Sequence, residues 1–247
     1  YLENPDIQEI ISDLGWSGEV LRDSKDYLMV VNSNINGYKT DGVIDQKIDH
    51  KIEIKEDGSI IDTVTIERIH NGGSTDYDWW NKVNANYMRV YVPLGSELLE
   101  AQGHTLETVE APVNYDKLGF IRDELIEDLE NSIKIDQESQ TEIWQEAGKT
   151  VFGNWVYVSP QETVKVAYKY KLPFKIEVNP EVNKMDNYSV LYQKQSGMNT
   201  SELKSEIFLP ENREIFWQYP KNAQTSKNLL EYITNLERDR FMGIVIK

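Results

Sequence analysis

Even-numbered positions from Val164 to Leu172 are apolar (Val164, Val166, Tyr168, Tyr170, Leu172), while Lys165, Lys169 and Lys171 hold odd ones. This period of two is the mark of a strand with one face buried and one wet. The same alternation recurs along the chain: Ile44, Ile48, Ile52 and Ile54; Ile60, Val64 and Ile66; Met88, Val90 and Val92; Tyr188, Val190 and Tyr192; Leu203, Ile207 and Leu209; Met242, Ile244 and Ile246. A chain patterned this way folds mainly as β structure.

The punctuation between these runs supplies the rest of the organisation. Asn4-Pro5-Asp6 reads as a helix cap, a proline at the first helical position and an acidic first turn, with Ile7, Ile10, Ile11 and Leu14 on one face before Gly15. Gly42–Lys55 and Ser59–His70 read as two long strands joined at Asp57-Gly58, a strong hairpin signal. Between Asp116 and Ile135 the pattern changes to Ile121, Leu125 and Leu129 among many acids, which suits a helix or an irregular connector. Thr141–Val158 reads as one extended stretch, and Leu229, Leu230, Ile233 and Leu236 suit a helix as well as a strand. The expected layout is two antiparallel sandwich-like units with a short N-terminal helix: residues 1–25 helix and linker, 26–115 first β unit, 116–139 connector, 140–247 second β unit.

Charge and composition narrow the partners. Against 26 Lys and Arg stand 42 Asp and Glu, a net charge of -16 that repels nucleic-acid phosphates and anionic lipid. With no cysteine, disulfides, thiolate metal sites and cysteine nucleophiles are excluded. No apolar run is long enough to span a membrane, and no signal peptide opens the chain. The start at Tyr1 instead of a methionine suggests a trimmed fragment, with any anchor upstream.

No catalytic signature accompanies the strands. His50, His70 and His104 are scattered and lack a recurrent ligand spacing, so no metal and no cofactor are expected. His50 falls on the apolar-facing side of its strand and reads as a packed or hydrogen-bonded core histidine. Asn32-x-Asn34-x-Asn36-Gly37 imitates the opening of a calcium loop, but all three side chains are uncharged and the twelfth position is Val43, so Asn32, Asn34 and Asn36 are weak metal candidates better read as loop hydrogen-bonders. Acid pairs such as Glu127 with Asp128, or Glu237 with Asp239, leave a glycoside hydrolase as the weakest alternative. Tyr77, Trp79 and Trp80 are the best binding candidates, because aromatic faces at a loop tip can stack on sugar rings or enter a partner's pocket. If this stretch is extended, one tryptophan packs inward and its neighbour is displayed.

Asn34–Asp41 (NINGYKTD), Tyr87–Ser96 (YMRVYVPLGS), Glu146–Val156 (EAGKTVFGNWV), Tyr170–Pro173 and Gln193–Gly197 together resemble the C-terminal part of the bacterial domain-of-unknown-function family 4012. The resemblance implies an extracytoplasmic region of a cell-envelope protein, anchored by an upstream transmembrane helix and without an established enzymatic activity. It transfers no catalytic or binding residues. The expectation is therefore a non-enzymatic envelope domain with a structural or interaction role, its partner a cell-surface protein or glycan and not nucleic acid. A carbohydrate-binding module using Tyr77, Trp79 and Trp80 is the alternative.

Overall fold

A computed structural model describes residues 2–106, 113–177 and 185–247. The helix at the start is α1, Pro5–Asp13, capped by the Asn4 side chain, which accepts from the backbone N–H of Asp6 and Ile7. Strands follow as β1 Asp26–Asn34, β2 Ile44–Ile54, β3 Ser59–His70, β4 Asn84–Pro93 and β5 Glu97–Gln102. After the connector helix α2, Glu124–Ser132, come β6 Lys134–Ile135, β7 Glu142–Glu146, β8 Lys149–Val158, β9 Thr163–Lys175 and β10 Asp186–Gln193. The last are β11 Glu202–Phe208, β12 Ile215–Tyr219, β13 Gln224–Ser226, β14 Leu229–Asn235 and β15 Arg240–Ile246. No helix among the described residues is long and apolar enough to cross a membrane.

The strands form two sheets, ordered β12-β15-β10-β1-β4-β8-β7-β6 and β13-β14-β11-β2-β3-β9-β5. The β2–β3 hairpin forms in the expected register, Ile54 opposite Ile60 and Ile48 opposite Ile66, so Ile44, Ile48, Ile52 and Ile54 all enter the core. A one-residue slip would turn them to water. Gly58 sits in the left-handed region at φ 79°, and a Cβ there would lie 2.0 Å from the carbonyl oxygen of Ile176. Only glycine closes this turn.

Two expectations need correction. Both sheets are mixed: β1 runs parallel to β10, and β2 parallel to β11. These two pairs stitch residues 26–115 to residues 140–247, and strands of both stretches bury their apolar faces in one inter-sheet core that contains Leu28, Ile52, Phe152, Tyr168, Tyr188 and Ile244. The connector at 116–139 thus divides the sequence and not the core. Thr141–Val158 is a hairpin and not one strand, because Ala147 and Gly148 both take positive φ, 50° and 72°, and reverse the chain between β7 and β8. The ambiguous stretch from Leu229 is strand β14.

Candidate functional site

Two constellations stand out, one at the rim of the sandwich and one inside it. The rim begins with Arg68 on β3, which lies in the inward phase set by Val64 and Ile66 and is fully buried. One terminal guanidinium nitrogen donates to Asn32 Oδ1 and the other to Asn84 Oδ1, 3.0 Å, while the Asp41 carboxylate lies 3.7 Å away. Asn84 passes the contact on, donating to Thr40 Oγ1 and Asp41 Oδ1, both at 2.9 Å. Thr40–Val43 is thereby fixed as a short 3-10 turn above the end of the core. Burial lowers the Arg68 pKa to about 10, with Asp41 opposing the fall, so the group stays cationic at neutral pH.

The second loop of the rim rests on the first. His70 accepts from the Gly72 N–H at Nδ1, 3.0 Å, which leaves Nε2 to donate to the Lys82 carbonyl, 2.8 Å. Asn81 ties Gly73 and Thr75 to the same turn through its side-chain amide. Asp78–Asn81 is a 3-10 turn and not an extended segment, so strand alternation does not sort the two tryptophans. Trp80 is instead half-buried, its indole lying over Gly42, where an added Cβ would be 3.4 Å from Nε1. Trp79 remains 47% exposed and Tyr77 48%. Tyr77 is the hinge of the cluster, with ring centroids 4.9 Å from both Trp79 and Trp80, tilted against the first and edge-on to the second. Across a cleft of about 300 Å³, Trp79 faces Gly37, Tyr38 and Lys39, and Tyr38 is itself 45% exposed. Lys39 lines this cleft at φ 54°, a left-handed conformation uncommon for a lysine.

The three asparagines serve the loop and do not converge on a point. Asn32 accepts from Arg68 and from Asn86 Nδ2, 2.9 Å, and donates to Gln46. Asn34 donates to Thr40, and Asn36 donates to the Val83 carbonyl, 2.7 Å, linking the two rim loops. Glu127 and Asp128 lie on exposed α2, and Glu237 and Asp239 on an exposed turn, so neither pair faces a shared cleft wall.

The interior constellation joins residues far apart in sequence. Asp26 opens β1 in one sheet, while His50 on β2 and Asp62 on β3 come from the other. Their ligand atoms lie within 4.8 Å of one another, and all three residues are at most 1% exposed. Asp26 accepts from the Tyr188 hydroxyl and from the Tyr27 N–H. His50 Nδ1 is 2.9 Å from the Tyr192 hydroxyl, which in turn meets Ser205 Oγ at 2.5 Å. His50 Nε2 lies 3.5 Å from both Asp62 Oδ2 and the Tyr170 hydroxyl. Neither oxygen of Asp62 has a short hydrogen bond, its looser polar contacts being the Tyr170 hydroxyl and the Asp26 carboxyl. Burial pushes both carboxyls well above the usual range, Asp62 adding to the rise at Asp26, and lowers His50 to about 4, so its imidazole is neutral at pH 7.

Sequence reasoning placed His50 in the core but saw no partner for it. The available signal was parity. Asp26 is in phase with Leu28 and Val30, and Asp62 with Ile60 and Val64, so both carboxylates were addressed inward.

No family model matches this chain, and no curated protein matches it. Among solved structures, it is similar to a protein of Legionella pneumophila provisionally named a nutrient binding protein, at 10% identity and a TM-score of 0.43, over 90% of this chain and 71% of the other. It is also similar to a zinc metallopeptidase of Deinococcus radiodurans, at 9% identity and a TM-score of 0.32, over 82% of this chain and 42% of the other.

Proposed function

We propose that this chain is a non-enzymatic binding domain of the bacterial cell envelope that presents the Tyr77–Trp79 surface to a carbohydrate. The observation that carries the reading is the half-exposed pair of rings on a turn whose position is fixed from below by Trp80, Asn81 and the Arg68 cluster. Rings held this way lose little conformational freedom on binding, and an aromatic face offers the apolar side of a pyranose both dispersion and CH–π contact. Exposed Asp76 and Asp78 and the cleft-lining Lys39 stand around the rings as partners for sugar hydroxyls. The net charge of -16 argues for a neutral or basic glycan over an acidic one.

The extracytoplasmic placement rests on the family resemblance and belongs to the proposal. A hydrolase requires its carboxylates to reach the glycosidic bond, whereas the facing pair Asp26 and Asp62 is enclosed between the sheets. The test is retention on immobilised cell-wall and capsular polysaccharides. Wild type is retained on one of them, and Trp79→Ala and Tyr77→Ala elute in the void while melting near the wild-type temperature. Equal retention of wild type and both variants, or retention of none, overturns the reading.

A further inference from the structure

The inter-sheet core holds two carboxylates and a neutral imidazole where an apolar protein interior would ordinarily be, and their environment is one-sided. Asp26 accepts from the Tyr188 hydroxyl and the Tyr27 amide, and its carboxyl also meets that of Asp62. Asp62 has no short hydrogen bond: its buried oxygens are approached only loosely, by the Tyr170 hydroxyl and the Asp26 carboxyl, and Oδ2 is aimed at His50 Nε2 from 3.5 Å. Among the described residues, His50 is the only ion-pair contact of either carboxylate. Lys149 is turned onto the ring of Tyr27, its Nζ 3.8 Å from the centroid, and Lys25 pairs with Asp186. An ionised carboxylate held this way, without a short donor or a cation, is costly in a core.

The orientation of His50 sharpens the point. Its Nδ1 is engaged by Tyr192, whose hydroxyl is held by Ser205. When Nδ1 carries the proton, the Nε2 lone pair faces the Asp62 carboxyl directly, and either a proton on that carboxyl or a cation between the two atoms makes the contact attractive. One ring nitrogen fixed by a hydrogen-bond acceptor and the other held only by long contacts, to Tyr170 and Asp62 at 3.5 Å, is how a metal-binding histidine is oriented, and Tyr188 on Asp26 supplies the matching support for the opposite carboxylate.

We infer that Asp26, His50 and Asp62 form a structural site for one divalent transition-metal ion, zinc or manganese, that pins β1 of one sheet to β2 and β3 of the other. Two carboxylates and a neutral imidazole give a charge-balanced site for a dication, and one nitrogen with two oxygens suits these ions better than calcium or magnesium. The Tyr170 hydroxyl, 3.5 Å from His50 Nε2, borders the remaining coordination position. The inference is independent of the rim's ligand.

Because the site is enclosed, exchange requires unfolding. The full chain is denatured in guanidinium with a chelator, dialysed, and refolded with zinc, with manganese or with neither. Metal content, melting temperature and, for a cobalt-refolded sample, visible absorption are then read. The expected result is about one equivalent of zinc or manganese per chain, and a melting temperature roughly 5–10 °C lower without metal, the shift for a site saturated about a hundredfold. Cobalt should give d–d bands that vanish in His50→Gln, a readout that needs only a soluble variant. Asp62→Asn decides between a metal and a shared proton: it should abolish metal retention and lower the melting temperature. A wild type that refolds metal-free with an unchanged melting temperature, or an Asp62→Asn variant that retains metal or melts higher than wild type, overturns the site. In that last case the amide has supplied a donor that a protonated carboxyl pair wanted.

Discussion

The two polar clusters make a pair that differs in one respect. Arg68 and the Asp26–His50–Asp62 group are both buried, and both are built from inward-facing positions on strands that otherwise carry Ile and Val. Around Arg68 the charge is answered: Asp41 opposes it, and Asn32 and Asn84 accept from its terminal nitrogens, leaving Arg68 Nε and the Oδ1 atoms of Asn34 and Asn86 as unmatched neutral or peripheral atoms. Around Asp62 it is not, since no cation stands by it, only the neutral His50 ring, and its oxygens have only long contacts, to Tyr170 and Asp26. A satisfied cluster acts as a support, and here it supports the two loops that carry the exposed rings. An unsatisfied cluster points to a missing component. Burial alone therefore does not distinguish architecture from site, and the state of the hydrogen bonds does.

The largest effect should come from breaking the satisfied cluster. Arg68→Ala strands Asn84 Oδ1, takes one of two donors from Asn32 Oδ1 and removes the cation beside the part-exposed Asp41; the stranded buried acceptor costs about 1–3 kcal/mol, and the cavity left by the side chain adds to it. Chemical denaturation measures it, and a loss under about 1 kcal/mol would show that water takes over the role of the guanidinium.

A smaller loss should follow on the other side of the comparison. Tyr188→Phe removes the hydroxyl that donates to Asp26 and leaves one more buried oxygen unmatched, at a cost of about 1–3 kcal/mol. If the variant is as stable as wild type, Asp26 does not depend on that donor, and the contrast drawn between the two carboxylates fails.

Much of this fold was legible in the sequence, because period-two patterning is strong when one face of every strand is buried. The β2–β3 hairpin followed from four isoleucines and an Asp-Gly pair, and α1 from its Asn-Pro-Asp cap. What was not legible depended on pairing at long range. Nothing local to β1 or β10 says that they lie side by side and parallel, so the sequence leaves open whether its two β stretches share one core. The hairpin at Ala147-Gly148 was missed because alanine does not announce a left-handed conformation. Tyr77, Trp79 and Trp80 were found from composition, but their geometry was not, since a 3-10 turn has no periodicity to read. The interior cluster was visible only as parity, one acid or histidine at a time, and its closeness required the sheets to face each other.

At the surface the same comparison predicts smaller effects. Lys39 pays a left-handed penalty of about 1 kcal/mol that Lys39→Gly should remove, raising the denaturation midpoint slightly, whereas a lowered midpoint would show that its side chain stabilises the cleft. Glu53 is paired with Lys51 and Lys55 at the wet face, and their hydrogen bonds lower its pKa from 4.5 to about 2. Because the folded value lies below the unfolded one, the stabilisation is present above about pH 4.5 and is lost as the pH falls towards 2. Thermal melts of wild type and Glu53→Gln should therefore differ slightly at pH 6 and converge near pH 2. A difference that is constant with pH would assign the contribution to packing instead of charge.

The smallest effect on stability, and the largest on function, belongs to Trp79. Its ring is half in solvent and holds up nothing above it, in contrast to Trp80 over Gly42. Affinity electrophoresis through gels containing the polysaccharide that retains wild type, run with Trp79→Ala and Arg68-intact controls matched for melting temperature, tests the binding surface most directly. The account predicts that wild type is retarded in proportion to polysaccharide concentration, and that Trp79→Ala migrates as in a plain gel with its melting temperature within a few degrees of wild type. Retardation of Trp79→Ala equal to wild type would contradict it.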